Sequence, residues 1–146
     1  MRQPGVRPSA VLLDTCALIW MVNGSPIAQA ARAAIRRAAM GEGVLVSPIS
    51  AWEVGMLSRA RPGRAIAFLP DPVTWFAKAM SAPGVRLAEF TATIAIAASQ
   101  LPEPLHGDPA DRLLIATARH LTAPIVTRDA RILDYAAAGH VGALAC

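Results

Sequence analysis

Apolar residues recur along this chain in two rhythms. Short apolar runs at 10–13 and 44–46 carry no helical spacing and predict buried strands, and 85–87, 123–127 and 141–145 predict a third, fourth and fifth strand. Between them lie longer stretches with helical character at 15–22, 25–40, 51–59, 71–82, 91–100, 108–121 and 129–138. Punctuation supports these bounds. Ser25-Pro26, Asp71-Pro72 and Asp108-Pro109 each place a capping side chain before a proline suited to a first helical turn, and Asn23-Gly24, Gly41-Glu42-Gly43 and Pro83-Gly84 close elements. Arg32, Arg36 and Arg37 are spaced to share the solvent side of the second helix.

Strands that alternate with helices predict an α/β fold with a parallel sheet covered on both faces. No repeat or linker interrupts the pattern, so residues 1–146 are expected to form a single domain. With 54% apolar and 16% charged residues, the chain can bury a real core, which excludes disorder and collagen-like repeats. Its longest uncharged stretch, 15–31, is broken by Asn23, Gly24, Ser25, Pro26 and Gln29 and cannot span a bilayer. The opening MRQPGVRPSAVLLD has no leader-like apolar run or cleavage pattern, so a cytoplasmic location is expected. Cys16 and Cys146 lack zinc-site spacing and predict no structural disulfide.

In such sheets ligands gather beyond the carboxyl ends of the strands. Asp14 directly follows the first strand, and Asp129 follows the fourth after Thr127-Arg128. Glu53 is expected in the first turn of the helix after strand two, and Asp111 in the first turn of the helix leading into strand four. Each acid also has a purely structural reading. Asp14 and Asp129 suit helix caps, Ser50-Ala51-Trp52-Glu53 has the form of a capping box, and Asp111 suits a helix N-terminus behind an Asp108 cap. Together they predict something more. Four carboxylates at one sheet edge repel, by roughly 4 kcal/mol per pair about 4 Å apart at an effective dielectric near 20, and they need a cation or extra protons. Oxygen donors without a His or Cys ligand set select Mg²⁺ or Mn²⁺.

The rest of the chain is basic, with net charge +4, and thirteen of its fourteen basic side chains are Arg. Arginine suits phosphate, although a composition biased toward Arg and Ala accounts for much of this. A hard divalent ion among acids in a basic protein is apparatus for phosphodiester hydrolysis. The residues therefore point to a metal-dependent nuclease.

The segments VLLDTCALIW, SPISAWEVGML, HGDPADRLLIATA and APIVTRDARIL, in this order and spacing, resemble a PIN-domain ribonuclease of the VapC toxin type across nearly the whole chain. The resemblance implies an α/β/α sandwich, Mg²⁺- or Mn²⁺-dependent endoribonuclease activity on RNA, and inhibition by a VapB-type antitoxin. It carries metal-ligand roles to Asp14 and Asp111, and catalytic or metal roles to Glu53 and Asp129. Asp108 falls on the first acid of the DPxDR segment and reads as a cap behind the metal ligands. Gly107 stands where the family often has Arg.

Thr15 and Thr127, beside candidate acids, could orient a carboxylate or simply cap a turn. His106, His120 and His140 read as loop or surface groups, and Trp20, Trp52 and Trp75 as core or interface rather than base-stacking groups. Arg59, Arg61 and Arg64 form the densest basic cluster, in a loop that could track phosphates or only face solvent. The apolar surface of residues 17–22 with Val54, Met56 and Leu57 suggests a groove for an antitoxin helix or a homodimer contact, against core packing. Two rival functions remain: a non-catalytic binding module of the same fold, and aspartyl-phosphate transfer at Asp14, which lacks the usual second Asp and Lys.

Overall fold

The computed structural model describes residues 9–146; the expectation about a leader falls on residues 1–8 and lies largely outside the described residues. Five strands, β1 (Val11–Leu13), β2 (Val44–Val46), β3 (Val85–Leu87), β4 (Ile125–Thr127) and β5 (Ala143–Ala145), alternate with helices as the pattern predicts. The helices are α1 (Thr15–Val22), α2 (Gln29–Met40), α3 (Pro48–Ser58), α4 (Pro72–Met80), α5 (Ala92–Ser99), α6 (Pro109–Leu121) and α7 (Ala130–Ala137). All strand pairings are parallel and the sheet order is β3-β2-β1-β4-β5.

Because strand side chains alternate between faces, Val11 and Leu13 pack with α1, α2 and α4, while Leu12 packs with α5, α6 and α7. Both layers are needed. Leu12 and Leu13 are wholly buried, and each contributes about 1.5–3 kcal/mol through burial. The result is the expected three-layer α/β/α arrangement. Its close packing shows at Gly84, where φ is +78° and any side-chain carbon would collide with the backbone of Ala39.

Two helix starts differ from the sequence reading. The second helix begins at Gln29, behind an Ala28 cap that makes no side-chain bond, and Ser25-Pro26 precedes it as loop. A distant contact holds this loop: Arg128 Nη2 donates to Pro26 O at 2.6 Å, and Ser25 N donates to Trp20 O at 2.9 Å. The third helix begins at Pro48 with Ser47 as its cap, so Ser50 is inside the helix and the Ser50–Glu53 capping box does not form. Glu53 consequently sits one turn deeper than expected.

Strand order reverses at β1, whose neighbours are β2 on one side and β4 on the other. The crevice beyond the carboxyl ends of β1 and β4 is the switch point of the sheet. Asp14, Ser47 and the Thr127-Arg128-Asp129 turn all emerge at this edge.

Candidate active site

Asp14 caps α1, with its Oδ1 accepting from Ala17 N at 2.7 Å. It is 8% exposed. That burial pushes its carboxyl above the ordinary range, against bonds from the Thr127 hydroxyl and Ala17 N that pull it down; the charges of Asp111 and Asp129 push it up again. Thr127 is wholly buried at the end of β4, and its hydroxyl also accepts from Asp129 N at 3.0 Å. One side chain thus links the first and fourth acids.

Glu53, carried by α3, receives a 2.5 Å hydrogen bond from Thr15 at the start of α1. Its carboxyl is raised by burial first and, in part, by Asp111, Asp108 and Asp14, with Thr15 opposing. Asp111 stands in the first turn of α6, where its N–H donates to the Asp108 cap at 3.0 Å. Its Oδ2 lies 2.8 Å from His106 Nε2 and 3.6 Å from Arg131 Nη2. Burial again raises it, and His106 opposes. Asp129 caps α7 and is the exception, held below the ordinary range chiefly by Arg131, whose guanidinium grips both of its oxygens.

The four acids therefore meet. With Thr15 and Arg128 they line one cleft of about 240 Å³. Capping and clustering are not alternatives here, because Asp14 and Asp129 cap their helices and face the shared cleft as well. A larger cavity, about 670 Å³, lies at the opposite sheet edge beside Pro124 and Gly142, and no carboxylate lines it.

His106 lies in a loop, as the sequence reading expects, but its side chain is turned in to the site rather than left at the surface. His106 is only 13% exposed and bonds Asp111; its buried Nδ1 has no partner among the described residues, so Nε2 is assigned the proton that it donates to the carboxylate. Arg112 fixes its loop, donating to Ala98 O at 3.1 Å, to Leu105 O and His106 O at 3.5 Å each, and to Glu103 at 3.2 Å. The tryptophans separate as well. Trp75 belongs to the core, Trp20 lies beneath Arg128 with the guanidinium carbon 3.8 Å from the ring centroid, and Trp52 is 59% exposed. With Met56 and Pro109, Trp52 forms an apolar shelf that meets the acidic cleft at Glu53.

A family model described as "PIN domain" matches residues 11–138. The chain belongs to the PIN-domain family. It is 34% identical over 128 residues to Ribonuclease VapC22 of Mycobacterium tuberculosis, covering 87% of this chain and 92% of that protein. Two solved structures share the fold. VapBC2 from Rickettsia felis, bound to a promoter DNA fragment, matches with TM-score 0.65 and 14% identity over 93% of this chain and 98% of that one. DNA-bound VapBC from Salmonella typhimurium matches with TM-score 0.60 and 15% identity over 96% and 98%.

In this PIN domain the chemistry of the donors fits a hard divalent cation: the cleft offers carboxylate oxygens, and its acids raise one another's affinity for protons, as crowded negative charges do. Even so, no three His, Cys, Asp or Glu side chains among the described residues are already set as a ligand group. Local bonds hold their oxygens: Thr15 on Glu53, His106 on Asp111 and Arg131 on Asp129. His106 and Arg131 lie inside quoted motif segments, but the sequence reading gave neither a role at the site. Only their offsets, five residues before Asp111 and two after Asp129, could have drawn notice.

Proposed function

We propose that this PIN domain, expected to span residues 1–146 as one unit, is a Mg²⁺- or Mn²⁺-dependent endoribonuclease and the toxin of a VapBC-type pair. The observation that carries this is the meeting of Asp14, Glu53, Asp111 and Asp129 in one cleft at the switch point of the sheet. The likeness to a protein named as a ribonuclease supports it.

Asp14 and Asp111 would hold the ion, with Glu53 and Asp129 completing its surroundings. When bound, it would supply Lewis-acid stabilisation of charge on the phosphodiester and lower the pKa of water. The protein's own groups do the rest. Glu53, whose affinity for protons burial and neighbouring acids raise, is the better base and takes the proton of the attacking water. Asp129 stays ionised beside Arg131. Thr127, Thr15 and His106 hold Asp14, Glu53 and Asp111 in place. Water adds to phosphorus as one phosphate ester bond breaks, and the leaving oxygen takes a proton from solvent.

Neither covalent nor phosphotransfer chemistry has support in the cleft. The Cys16 thiol is pushed up to about 11 by partial burial and by the neighbouring carboxylates, so it stays protonated. The single lysine, Lys78, lines a different groove, one of about 520 Å³ bordered by Met21, Val22, Ile35 and Trp75. Of the apolar surface expected to receive a partner, Ala17, Leu18, Ile19 and Val54 are buried in the core, so this groove beside Met21 and Val22 is left for a helix of a VapB-type antitoxin, and a homodimer is the other assembly expected. The exposed Arg59, Arg61 and Arg64 are available to RNA phosphates. No helix among the described residues is long and apolar enough to cross a membrane, and a cytoplasmic site of action follows from the proposed role.

The test is RNA cleavage by purified protein with Mg²⁺, with EDTA, and by Asp14→Asn. Cleavage that needs both the ion and Asp14 supports the reading, and cleavage indifferent to both refutes it.

A further inference from the structure

Among the described residues, Arg131 is the only arginine paired with any of the four acids, and it reaches two of them. Its Nη2 lies 2.9 Å from Asp129 Oδ2 and 3.6 Å from Asp111 Oδ2, while its Nε donates to Asp129 Oδ1 at 3.2 Å. The two acids arrive on different helices, α7 and α6. A single guanidinium therefore bridges two of the four acids.

Local folding does not require that side chain. The cap of α7 uses the backbone N–H of Arg131, which donates to Asp129 Oδ1 at 2.8 Å and would do so with another side chain at this position. Arg131 is 57% exposed and belongs to neither core cluster. It engages both oxygens of Asp129 and the Asp111 oxygen that His106 also bonds. Those oxygens are among the ones a divalent ion would need, and the cleft presents no ready ligand group.

We propose that Arg131 is an exchangeable internal counterion: it neutralises Asp111 and Asp129 in the metal-free chain and must release their oxygens for a divalent cation to bind there. This rests on the metal-dependent reading above. A guanidinium and a divalent ion on the same oxygens repel each other, so filling this side of the cleft is an exchange of cations rather than a simple addition. The exposed, flexible side chain can swing into solvent without disturbing the core. Arg131 is in this sense a positioning residue that sets the metal concentration at which the cleft fills.

Calorimetric titration of the whole chain with MnCl₂, without RNA, tests this on the wild type and Arg131→Gln. Removing these two ion pairs, of which only the arginine end is exposed, should tighten Mn²⁺ binding about 3- to 10-fold. Arg131→Lys, which keeps the charge but loses the two-point grip on Asp129, should fall between wild type and Arg131→Gln. Equal or weaker binding by Arg131→Gln overturns the inference and leaves the metal reading standing; no Mn²⁺ binding by either chain overturns both. Should the Gln variant not fold, the native chain supplies the answer. In a Mg²⁺ titration followed by ¹⁵N NMR, the Arg131 Nε–H signal should move with the same midpoint as the Asp129 amide, and an Arg131 signal that stays fixed while that amide moves contradicts the exchange.

Discussion

Thr15 donates a 2.5 Å hydrogen bond to Glu53 Oε1, joining the first turn of α1 to the middle of α3 across 38 positions of sequence. Ser50 Oγ lies 3.0 Å from the same hydroxyl, so Thr15 is held as well as holding. Removal of the hydroxyl in Thr15→Val leaves the half-buried Glu53 without the donor that favours its ionised form, and its pKa rises further. A base must be deprotonated to act. The acid limb of the pH–rate profile should therefore move to higher pH, and activity near neutrality should fall about 10- to 100-fold. An unchanged profile in Thr15→Val would show that Glu53 is not the base.

Burial raises the carboxyls of Asp14, Glu53 and Asp111 above their unfolded values, so through that window the metal-free folded state binds more protons than the unfolded one. Stability then falls as pH rises from the ordinary carboxylate range through the raised values. Asp129 is depressed and has the opposite sign, contributing stability above its unfolded pKa that is lost in acid. With three acids against one, the Tm of metal-free protein should fall as pH rises from the ordinary carboxylate range through the raised values of the three acids. Asp14→Asn keeps the cap while removing a buried charge, and should raise Tm at pH 7.5 by a few degrees, at about 2–4 °C per kcal/mol. Calorimetric scans across pH check both statements, and a Tm lowered by Asp14→Asn would contradict them.

A ligand that binds only the folded chain stabilises it. Mn²⁺ at one hundred times its Kd should add about 2.7 kcal/mol, or about 5–10 °C in Tm, to the wild type. EDTA should reverse the gain, and Asp111→Asn should abolish it. Thermal scans with and without the ion read this directly.

Arg112 donates to three backbone carbonyls, those of Ala98, Leu105 and His106. Arg112→Met leaves these acceptors unpaired and should cost about 2–3 kcal/mol in a urea titration. It also frees the loop that carries His106, so kcat should fall more than KM rises. Loss of stability with kcat intact would confine Arg112 to a structural role.

The order of strands and helices was legible because the central strands are short apolar runs and four helices open on an acid whose side chain accepts from the first turn. The meeting of the acids was legible for a related reason, since a parallel sheet sends its helix starts to one edge. Competing cap signals blurred two boundaries. Ser50–Glu53 reads as a capping box, yet the helix opens three residues earlier at Ser47, where Pro48 takes its first position. An equivalent Ser25-Pro26 signal opens no helix, because Arg128, 102 positions away, holds Pro26 O in the loop. His106 and Arg131 were unreadable for the same reason. Their roles depend on where a loop and an exposed side chain come to rest, which no local pattern encodes.

The central claim is that Asp14, Glu53, Asp111 and Asp129 act together through a divalent cation to cut RNA. Purified wild type, Asp14→Asn and Asp111→Asn, each shown folded by circular dichroism, should be incubated with total RNA in Mg²⁺ or EDTA and the new ends mapped. The account predicts discrete cuts from the wild type in Mg²⁺ and none in the other arms. Cuts at the same positions in EDTA, or from either variant at the wild-type rate, would contradict it.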